Sequence, residues 1–397
     1  MSNVTARAST SQRLIGIDAA RGVALVGMIV VHVLPSVGSG GDITTGYVLF
    51  SGRSAALFAV LAGVSLALAS GVRTPPRGRD WLSAAAGIWA RAAVIGAVGL
   101  MLGVLDSGIA IILAYYGLLF ALGAFFLPLR PPLLFTLGAV WIVVGPILSQ
   151  WLRADLPDPS LVVPNPLFLA QPIDGLLELG LTGYYPAVTW LAYLLVGLAV
   201  GRSDLTRRAV QLSLAGIGIV VAVAAKMVSS MLLDAGGMEQ IMRAGAGTHP
   251  LVEASIEISL QSSLYGTTPT TTWWWLATSG PHSGTPFDFA HTTGTAIATI
   301  GITLLIARSV IGSGVMWPIA AAGSMTFTLY TLHVVLRAGI IGGETMTDMW
   351  VHVLIAVLLG VVWRALLPRG PLEALARNAS HGARALVAGP SPPSPRP

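Results

Sequence analysis

The chain has 397 residues, of which 54% are hydrophobic and only 10% are charged. Soluble domains carry about 25% charged residues, so this composition excludes a soluble globular protein and indicates an integral membrane protein. The net charge of +5 comes from arginines scattered through short loops, and we therefore expect no nucleic-acid partner. The chain has no cysteine, which excludes disulfides, thiol catalysis and thiolate metal sites.

The apolar runs are continuous rather than alternating, and about 20 apolar residues suffice to span a membrane as a helix. We therefore predict an all-α, polytopic transmembrane bundle of about ten helices. The segments are 14–36, 47–71, 81–104, 108–128, 132–152, 184–201, 207–233, 287–308, 317–341 and 348–367. Arginines follow the second, fourth, sixth, eighth and tenth segments, whereas the opposite loops carry acidic residues. The positive-inside rule then places both termini in the cytoplasm.

The segment pattern indicates a single transmembrane domain over residues 1–377. Two large loops, 153–183 and 234–286, are expected on the outer side. The chain ends in GPSPPSPRP, a composition typical of disorder, and residues 378–397 are predicted to be a disordered cytoplasmic tail.

The first apolar segment carries three ionisable residues, Asp18, Arg21 and His32. A charge within the membrane costs about 2.5–3.5 kcal/mol on insertion scales, so such residues usually face a bundle interior or a water-filled cavity. Arg21 and His32 are eleven residues apart, which places them on one stripe of a helix, roughly 16 Å apart along its axis. This polar stripe predicts a site inside the bundle.

Each residue of the stripe has a functional and a structural interpretation. His32 can act as a general base, or it can be an interfacial histidine bonded to a backbone carbonyl. Arg21 can hold a phosphate, and it can also pair with Asp18. Arg53, near the outer end of the second segment, can orient a substrate or simply extend its charged group towards water.

Further candidates lie later in the chain. Asp288 and His291 share one face at the start of the eighth segment, where a carboxylate is also typical of a helix N-terminus. Arg91 lies near mid-membrane on the third segment, His282 lies in a loop, and His333 is a second buried histidine that packing alone could explain. No spacing of histidines and carboxylates is typical of a metal site, so we expect no metal.

Several motifs resemble the YeiB-like family of polytopic bacterial membrane proteins, which is grouped with the heparan-alpha-glucosaminide N-acetyltransferase-like proteins. The resemblance covers most of residues 13–377. The motifs, in order, are IDAARGVALVGMIVVH, GRSAALFAVLAGVSLAL, YYPAVTWLAYLLVGLAVGR, PHSGTPFD, AAGSMTFTLYTLHV and RGPLEALAR. The wider group resembles membrane acyltransferases that modify envelope sugars, whose first helix carries Arg, ten residues and then His, as Arg21 and His32 do here.

The resemblance implies transfer of an acyl group from cytoplasmic acyl-CoA to an envelope glycan or glycolipid on the outer side of a bacterial inner membrane. The histidine would be the base, and the arginine would help to hold CoA. In the related lysosomal enzyme an asparagine stands where His32 stands, and its catalytic histidine lies further on, near the position of Ile43 here. That enzyme's catalytic arrangement therefore does not transfer to this chain.

The sequence thus leads to a specific hypothesis, an acyl-CoA-dependent transmembrane acyltransferase that meets membrane lipids and a glycan or glycolipid acceptor. The candidate residues are His32, Asp288 and His291 as catalytic, Arg21 and Arg91 as donor-binding, and Arg53, His282 and His333 as substrate-binding. Two alternatives stay open: a transporter or flippase of a lipid or glycolipid, in which the same charges form a translocation path, and a non-catalytic scaffold. A homodimer is also left open.

Overall fold

The computed structural model describes residues 14–247 and 256–388. Within those residues the chain is helical, and the only β-type pairing is one isolated bridge between Val37 and Ile43. The α-helices are α1 (Ile15–Val33), α2 (Thr45–Phe50), α3 (Arg53–Ala69), α4 (Gly78–Leu102), α5 (Leu113–Gly123), α6 (Pro131–Arg153), α7 (Pro172–Leu177), α8 (Ala187–Arg202), α9 (Arg208–Leu232), α10 (Met238–Ala244), α11 (Ile256–Ser262), α12 (Pro286–Ile306), α13 (Val310–Gly323), α14 (Thr326–Gly339), α15 (Met346–Leu366) and α16 (Pro371–Ala388).

Across the described ranges, seven stretches of helix are long and apolar enough to cross a membrane. Two more spans are bent pairs, Pro172–Thr182 with α8 and α13 with α14, and one shorter apolar helix covers Leu113–Phe126. Each of the ten predicted segments therefore has a helical counterpart. The predicted all-α transmembrane bundle is confirmed, while the cytoplasmic position of the termini stays a prediction.

The two bent spans break where the sequence interrupts a helix. Pro186 directly precedes α8, and the chain bends by 56° there. Met325 leaves the helical region between α13 and α14, with φ −138° and ψ 41°, and the bend is 65°. Irregular backbone at membrane depth is tolerated where protein buries it or where it lines a cavity. The second break directs the buried Tyr330 and His333 of α14 towards α1.

Helix α1 packs against α3, α12 and α13, and 67% of its apolar span is buried inside the protein. Its contact with α13 depends on glycine, because a Cβ atom at Gly22 would collide with the carbonyl of Ile319. A Cβ atom at Gly323 would likewise collide with the carbonyl of Asp18. Small residues let membrane helices approach each other closely. The ionisable residues of α1 therefore lie within the protein rather than against lipid.

Helix α16 packs along α4. Arg384 lies against Gly87 of α4 and donates a hydrogen bond of 2.9 Å to the carbonyl of Ala69. The sequence of this helix, LEALARNASHGARALVA, is amphipathic, and the change to proline and serine comes only after it. The tail boundary predicted at residue 378 falls inside α16. The rest of the predicted tail, residues 389–397, lies outside the described residues.

The two large loops carry structure of their own. Loop 153–183 contains α7 and a 3-10 turn at Pro166–Leu169, and loop 234–286 contains α10, α11 and a 3-10 helix at Trp273–Ala277. Trp275 is fully buried against Ile241 and Leu264, which form a small apolar core separate from that of the bundle. Loop 234–286 therefore has a small packed core of its own.

Candidate active site

Arg21 is held in place by two side chains. Its guanidinium donates hydrogen bonds of 2.8 Å to the Asp18 carboxylate and 2.8 Å to the Ser65 hydroxyl of α3. Asp18 is almost fully buried, whereas about a fifth of the Arg21 side chain is exposed. The expected Asp18–Arg21 pair is therefore present. It leaves part of the Arg21 guanidinium facing a cavity.

That cavity has a volume of about 840 Å³ and lies between α1, α3, α4, α5, α14 and α16. We call it the arginine cavity because basic side chains dominate its charge. They are Arg21, Arg91, Arg369, Arg377, His381 and Arg384. Its acidic residues are Asp18 and Glu373, so the five arginines leave an excess of three positive charges. Such a cavity attracts anions with several charges.

The two carboxylates of the arginine cavity already have partners. Asp18 accepts from Arg21, and Glu373 accepts from the backbone N–H groups of Phe327 and Thr328 and from the Thr328 hydroxyl. Glu373 thereby ties α16 to the N-terminus of α14. The acidic groups thus serve structure, and three positive charges of the cavity remain without a carboxylate.

Two of the arginines have unused donors inside the protein. The Nε atoms of Arg91 and Arg384 are buried and have no hydrogen-bond partner among the described residues. The guanidinium of Arg91 lies 5.8 Å from the centre of the Phe120 ring. A buried donor without a partner is costly, typically about 1–3 kcal/mol.

The far end of the arginine cavity reaches Met28 and Tyr330. The Tyr330 oxygen accepts a hydrogen bond from the backbone N–H of Ile112 at 3.5 Å, which leaves its own proton available to donate. The Tyr330 ring meets the His32 ring edge-on, with 6.2 Å between the ring centres. The cavity therefore extends from basic side chains at one end of α1 to a phenol beside His32 at the other.

His32 begins a chain of three imidazoles, which we call the histidine chain: His32, His333 and His352. The His32 Nδ1 and His333 Nε2 atoms are 3.2 Å apart, and the His333 Nδ1 and His352 Nδ1 atoms are 3.1 Å apart. The His352 Nε2 atom lies 3.1 Å from the carbonyl oxygen of Ile341. Each imidazole comes from a different helix, α1, α14 or α15. Arg337 lies beside the chain and donates to the His32 carbonyl at 3.4 Å.

His282 lies in the loop before α12, next to the first turn of α3. Its ring meets the Tyr185 ring edge-on at 5.7 Å, and its backbone adopts the left-handed region with φ 54°. Burial lowers the pKa of His282 to about 4, so the imidazole is neutral at neutral pH. It is near enough to His32 for the two rings to interact electrostatically.

Arg53 and His291 form a second cluster. The Arg53 Nε atom donates to His291 Nε2 at 3.1 Å, and His291 Nδ1 lies 3.0 Å from the carbonyl of Ala222. Both ring nitrogens of His291 are thus engaged, and its geometry suits holding Arg53 in place. The guanidinium of Arg53 also donates to the Val48 carbonyl at 2.5 Å.

Asp288 lies in the first turn of α12, where its neighbours give it a structural role. Its backbone N–H donates to the Thr285 hydroxyl at 3.1 Å, and its carboxylate accepts from the backbone N–H of Gly284 at 3.1 Å. The typical helix N-terminus expected as the alternative interpretation is therefore present. Lys226 and Arg53 lie near enough to act on the carboxylate electrostatically.

The structure thus groups the candidate residues in three places. Arg21 and Arg91 line the arginine cavity, His32 and His333 belong to the histidine chain with His282 nearby, and Arg53, Asp288 and His291 form a third group. Residues that the sequence interpretation missed are Ser65, Tyr330, His352, Arg369, Arg377, His381 and Arg384. The basic residues of RNASHGAR in α16 recur every three or four residues, which places them on one face of the helix. This was the sequence signal that could have indicated their part in the site.

Comparison with known proteins identifies a family for this chain. The model of the family described as heparan-alpha-glucosaminide N-acetyltransferase, catalytic, matches residues 13–232. That stretch is more than half of the chain and includes Arg21, His32, Arg53 and Arg91. No curated protein matches the chain. By the extent of the family match, the chain belongs to the heparan-alpha-glucosaminide N-acetyltransferase catalytic family.

Proposed function

We propose that the protein is a transmembrane acyltransferase that moves an acyl group from acyl-CoA to a hydroxyl or amine of an envelope glycan or glycolipid. One observation carries the proposal: the arginine cavity is continuous from Arg91 and Arg384 to Tyr330, beside His32. A donor with a polyanionic head and a reactive group on a long arm fits this shape and this distribution of charge.

The head of the donor accounts for the arginines. Coenzyme A carries a pyrophosphate and a ribose phosphate, and guanidinium groups bind phosphate through paired hydrogen bonds. The partly exposed guanidinium of Arg21 faces the cavity and can supply such bonds, and Arg91 and Arg384 line the same cavity. Arg369 and Arg377 add positive charge at the same mouth of the cavity.

The arm of the donor accounts for the length of the cavity. Arg21 and His32 are separated by roughly 16 Å along α1, a distance comparable to an extended pantetheine arm. The apolar lining between them includes Met28, Phe58 and Leu61. A thioester whose phosphates lie near Arg384 can therefore present its carbonyl near Tyr330 and His32.

The chemistry follows from the groups at that end. His32 takes the proton from the acceptor hydroxyl or amine, and the acceptor oxygen or nitrogen bonds to the thioester carbonyl carbon. The Tyr330 hydroxyl donates a hydrogen bond to the carbonyl oxygen as negative charge develops there. The carbon–sulfur bond then breaks, and the thiolate takes the proton from His32 to leave as CoA. Protons and electrons balance without a metal or a redox partner.

Other observations give the acceptor side its character. The family description names an N-acetyltransferase acting on a glucosaminide, which favours an acetyl donor and an amino-sugar acceptor. Arg53, held by His291, and the loop around His282 lie on the His32 side of the bundle, where they can contact that acceptor. The predicted topology puts this side outside, so the reaction would cross the bilayer.

Donor binding tests the proposal directly. Acetyl-CoA is titrated calorimetrically into the purified protein in nanodiscs, and the variants Arg91→Gln and Arg384→Gln are compared with Arg130→Gln. Arg130 is exposed and lies outside the arginine cavity. We expect binding by the wild type and by Arg130→Gln, and weaker binding by the two cavity variants. No binding of acetyl-CoA, together with glycolipid transport into liposomes without CoA, would overturn the acyltransferase proposal in favour of a transporter.

A further inference from the structure

The histidine chain has a direction, which is set by the backbone at its far end. A carbonyl oxygen can only accept a hydrogen bond, so the His352 Nε2 atom facing Ile341 must carry a proton. A neutral imidazole carries one proton, and a buried imidazole is more stable neutral than charged. The His352 Nδ1 atom is therefore an acceptor.

The same reasoning passes along the chain to His32. His333 must donate from Nδ1 to His352, so His333 Nε2 is an acceptor. His32 must then donate from Nδ1 to His333 Nε2, and its own Nε2 atom carries the lone pair. No described residue forms a hydrogen bond to His32 Nε2, and the His32 side chain retains partial exposure. The backbone carbonyl of Ile341 thus selects the nitrogen of His32 that can accept a proton.

We propose that His333 and His352 are positioning residues that hold His32 in its Nδ1–H tautomer and present Nε2 as the basic nitrogen. Their part in catalysis rests on the proposed acyl transfer, whereas the tautomer itself is a property of the resting protein. The arrangement has the same logic as the carboxylate that orients the histidine of a catalytic triad, with two imidazoles and a carbonyl in place of the acid.

The chain also gives the proton a path. When His32 Nε2 takes a proton from the acceptor, the Nδ1 proton of His32 can pass to His333 Nε2. The Nδ1 proton of His333 can then pass to His352 Nδ1. Each transfer breaks one N–H bond and forms one on the next ring. The positive charge therefore moves from His32 on α1 to His352 on α15, and the total charge of the three rings does not change during these transfers. The charge reaches His352, whose Nε2 atom faces the Ile341 carbonyl. The carbonyl of the next residue, Gly342, accepts from Arg337, the partner of the largely exposed Glu344. Return of the proton to the leaving thiolate runs through the same bonds in reverse.

Nitrogen NMR of the resting protein tests this proposal. Protein labelled with ¹⁵N-histidine is placed in nanodiscs at neutral pH, and protonated and unprotonated ring nitrogens are distinguished by chemical shift. The His32 signals are those lost in His32→Gln. We expect His32 with a protonated Nδ1 and an unprotonated Nε2. A protonated Nε2 in the wild type would overturn the proposal, whatever the acyl-transfer assay gives.

Variants at the far end separate positioning from packing. In His352→Asn the amide oxygen occupies the place of Nδ1 and can still accept from His333, so the His32 tautomer is expected to persist. In His352→Leu the acceptor is lost, His333 can reverse its tautomer, and His32 Nε2 becomes protonated. The acyl-transfer rate then falls by roughly 10²- to 10⁴-fold, as when a general base is held in the wrong tautomer, and His352→Asn restores most of it.

A control guards against general perturbation of the histidines. His291→Gln removes an imidazole that is bonded to Arg53 instead, and we expect it to leave the His32 signals unchanged. Unchanged His32 signals in a folded His352→Leu protein would contradict the proposal. If the tautomers follow the expectation but the wild type transfers no acyl group, the acyltransferase function fails and the positioning stands. Should His352→Leu not fold, the wild-type tautomer decides the outcome alone.

Discussion

The polar groups at the two ends of α1 differ in how they are satisfied. At the Arg21 end, several full charges face a large cavity, and some of their donors have no partner among the described residues. At the His32 end, three imidazole rings are linked to one another and to the backbone at hydrogen-bond distance. The Arg21 end therefore presents charge to an open cavity, whereas the His32 end pairs its polar groups with one another and with the backbone.

The difference indicates that the two ends have different functions. Binding an anionic head requires exposed charge whose partner arrives with the ligand, whereas accepting a proton requires one nitrogen held in one protonation state. Tyr330 lies between the two, because it lines the arginine cavity and also contacts His32. Variants at the two ends should therefore fail in different kinetic parameters.

The largest effect is expected at His32. His32→Gln removes the base while keeping a polar side chain of similar reach, and we expect kcat to fall by roughly 10²- to 10⁴-fold. The dissociation constant for acetyl-CoA should stay unchanged, since the arginine cavity is intact. Steady-state transfer and calorimetric binding measure the two quantities. A kcat equal to that of the wild type would remove His32 from the mechanism.

Tyr330→Phe tests the group between the two ends. Removing one donor to a developing oxyanion typically slows the chemical step by about 10²- to 10³-fold. We expect kcat to fall while the KM for the donor changes little, because the ring still packs. Tyr193→Phe is the matched control: the buried Tyr193 hydroxyl bonds to the Thr292 hydroxyl, and Tyr193 does not line the arginine cavity. Equal losses in both variants would indicate a packing effect.

The arginine end should give the opposite kinetic pattern. In Arg91→Gln and Arg384→Gln we expect the KM for acetyl-CoA to rise with little change in kcat. Loss of a hydrogen bond to a charged group is worth about 1.5–3 kcal/mol, or roughly ten- to a hundredfold in affinity. A fall in kcat at saturating donor would mean that these arginines act on the reacting atoms.

The smallest effect concerns stability at His282. Because burial lowers the pKa of His282 to about 4, the unfolded chain binds a proton below about pH 6.5 that the folded protein does not bind. Stability is therefore lost as the pH falls from about 6.5 to about 4. We expect His282→Gln to lose less stability than the wild type over this interval. Thermal unfolding across that pH range measures it, and parallel curves for the two proteins would contradict the burial of a neutral imidazole.

The features that could be predicted from the sequence are those that change the free energy of inserting a single helix into the membrane. Three ionisable residues in one apolar segment marked α1, and hydropathy marked the ten spans, because membrane insertion penalises charge segment by segment. The Asp18–Arg21 pair was also predictable from the sequence, because residues three apart lie on one face of a helix.

Contacts between distant elements were not accessible in this way. His333 and His352 belong to different helices, and their contact depends on the break at Met325 and on the packing of α14 against α15. The predicted tail begins at residue 378 and so includes the second half of α16, because that half is poor in apolar residues and adjoins the proline-rich end. The arginines of α16 join the cavity only through tertiary packing, which no local pattern encodes.

The most direct test of the account follows release of CoA from acetyl-CoA by the purified protein in nanodiscs, with and without an envelope glycan and lipid extract. Because the chain contains no cysteine, a thiol reagent for the released CoA does not react with the protein itself, and extract alone gives the background. We predict release that depends on the extract in the wild type, and its loss in His32→Gln with acetyl-CoA binding retained. Release at the wild-type rate from His32→Gln, or no release from the wild type with any extract fraction, would contradict the account.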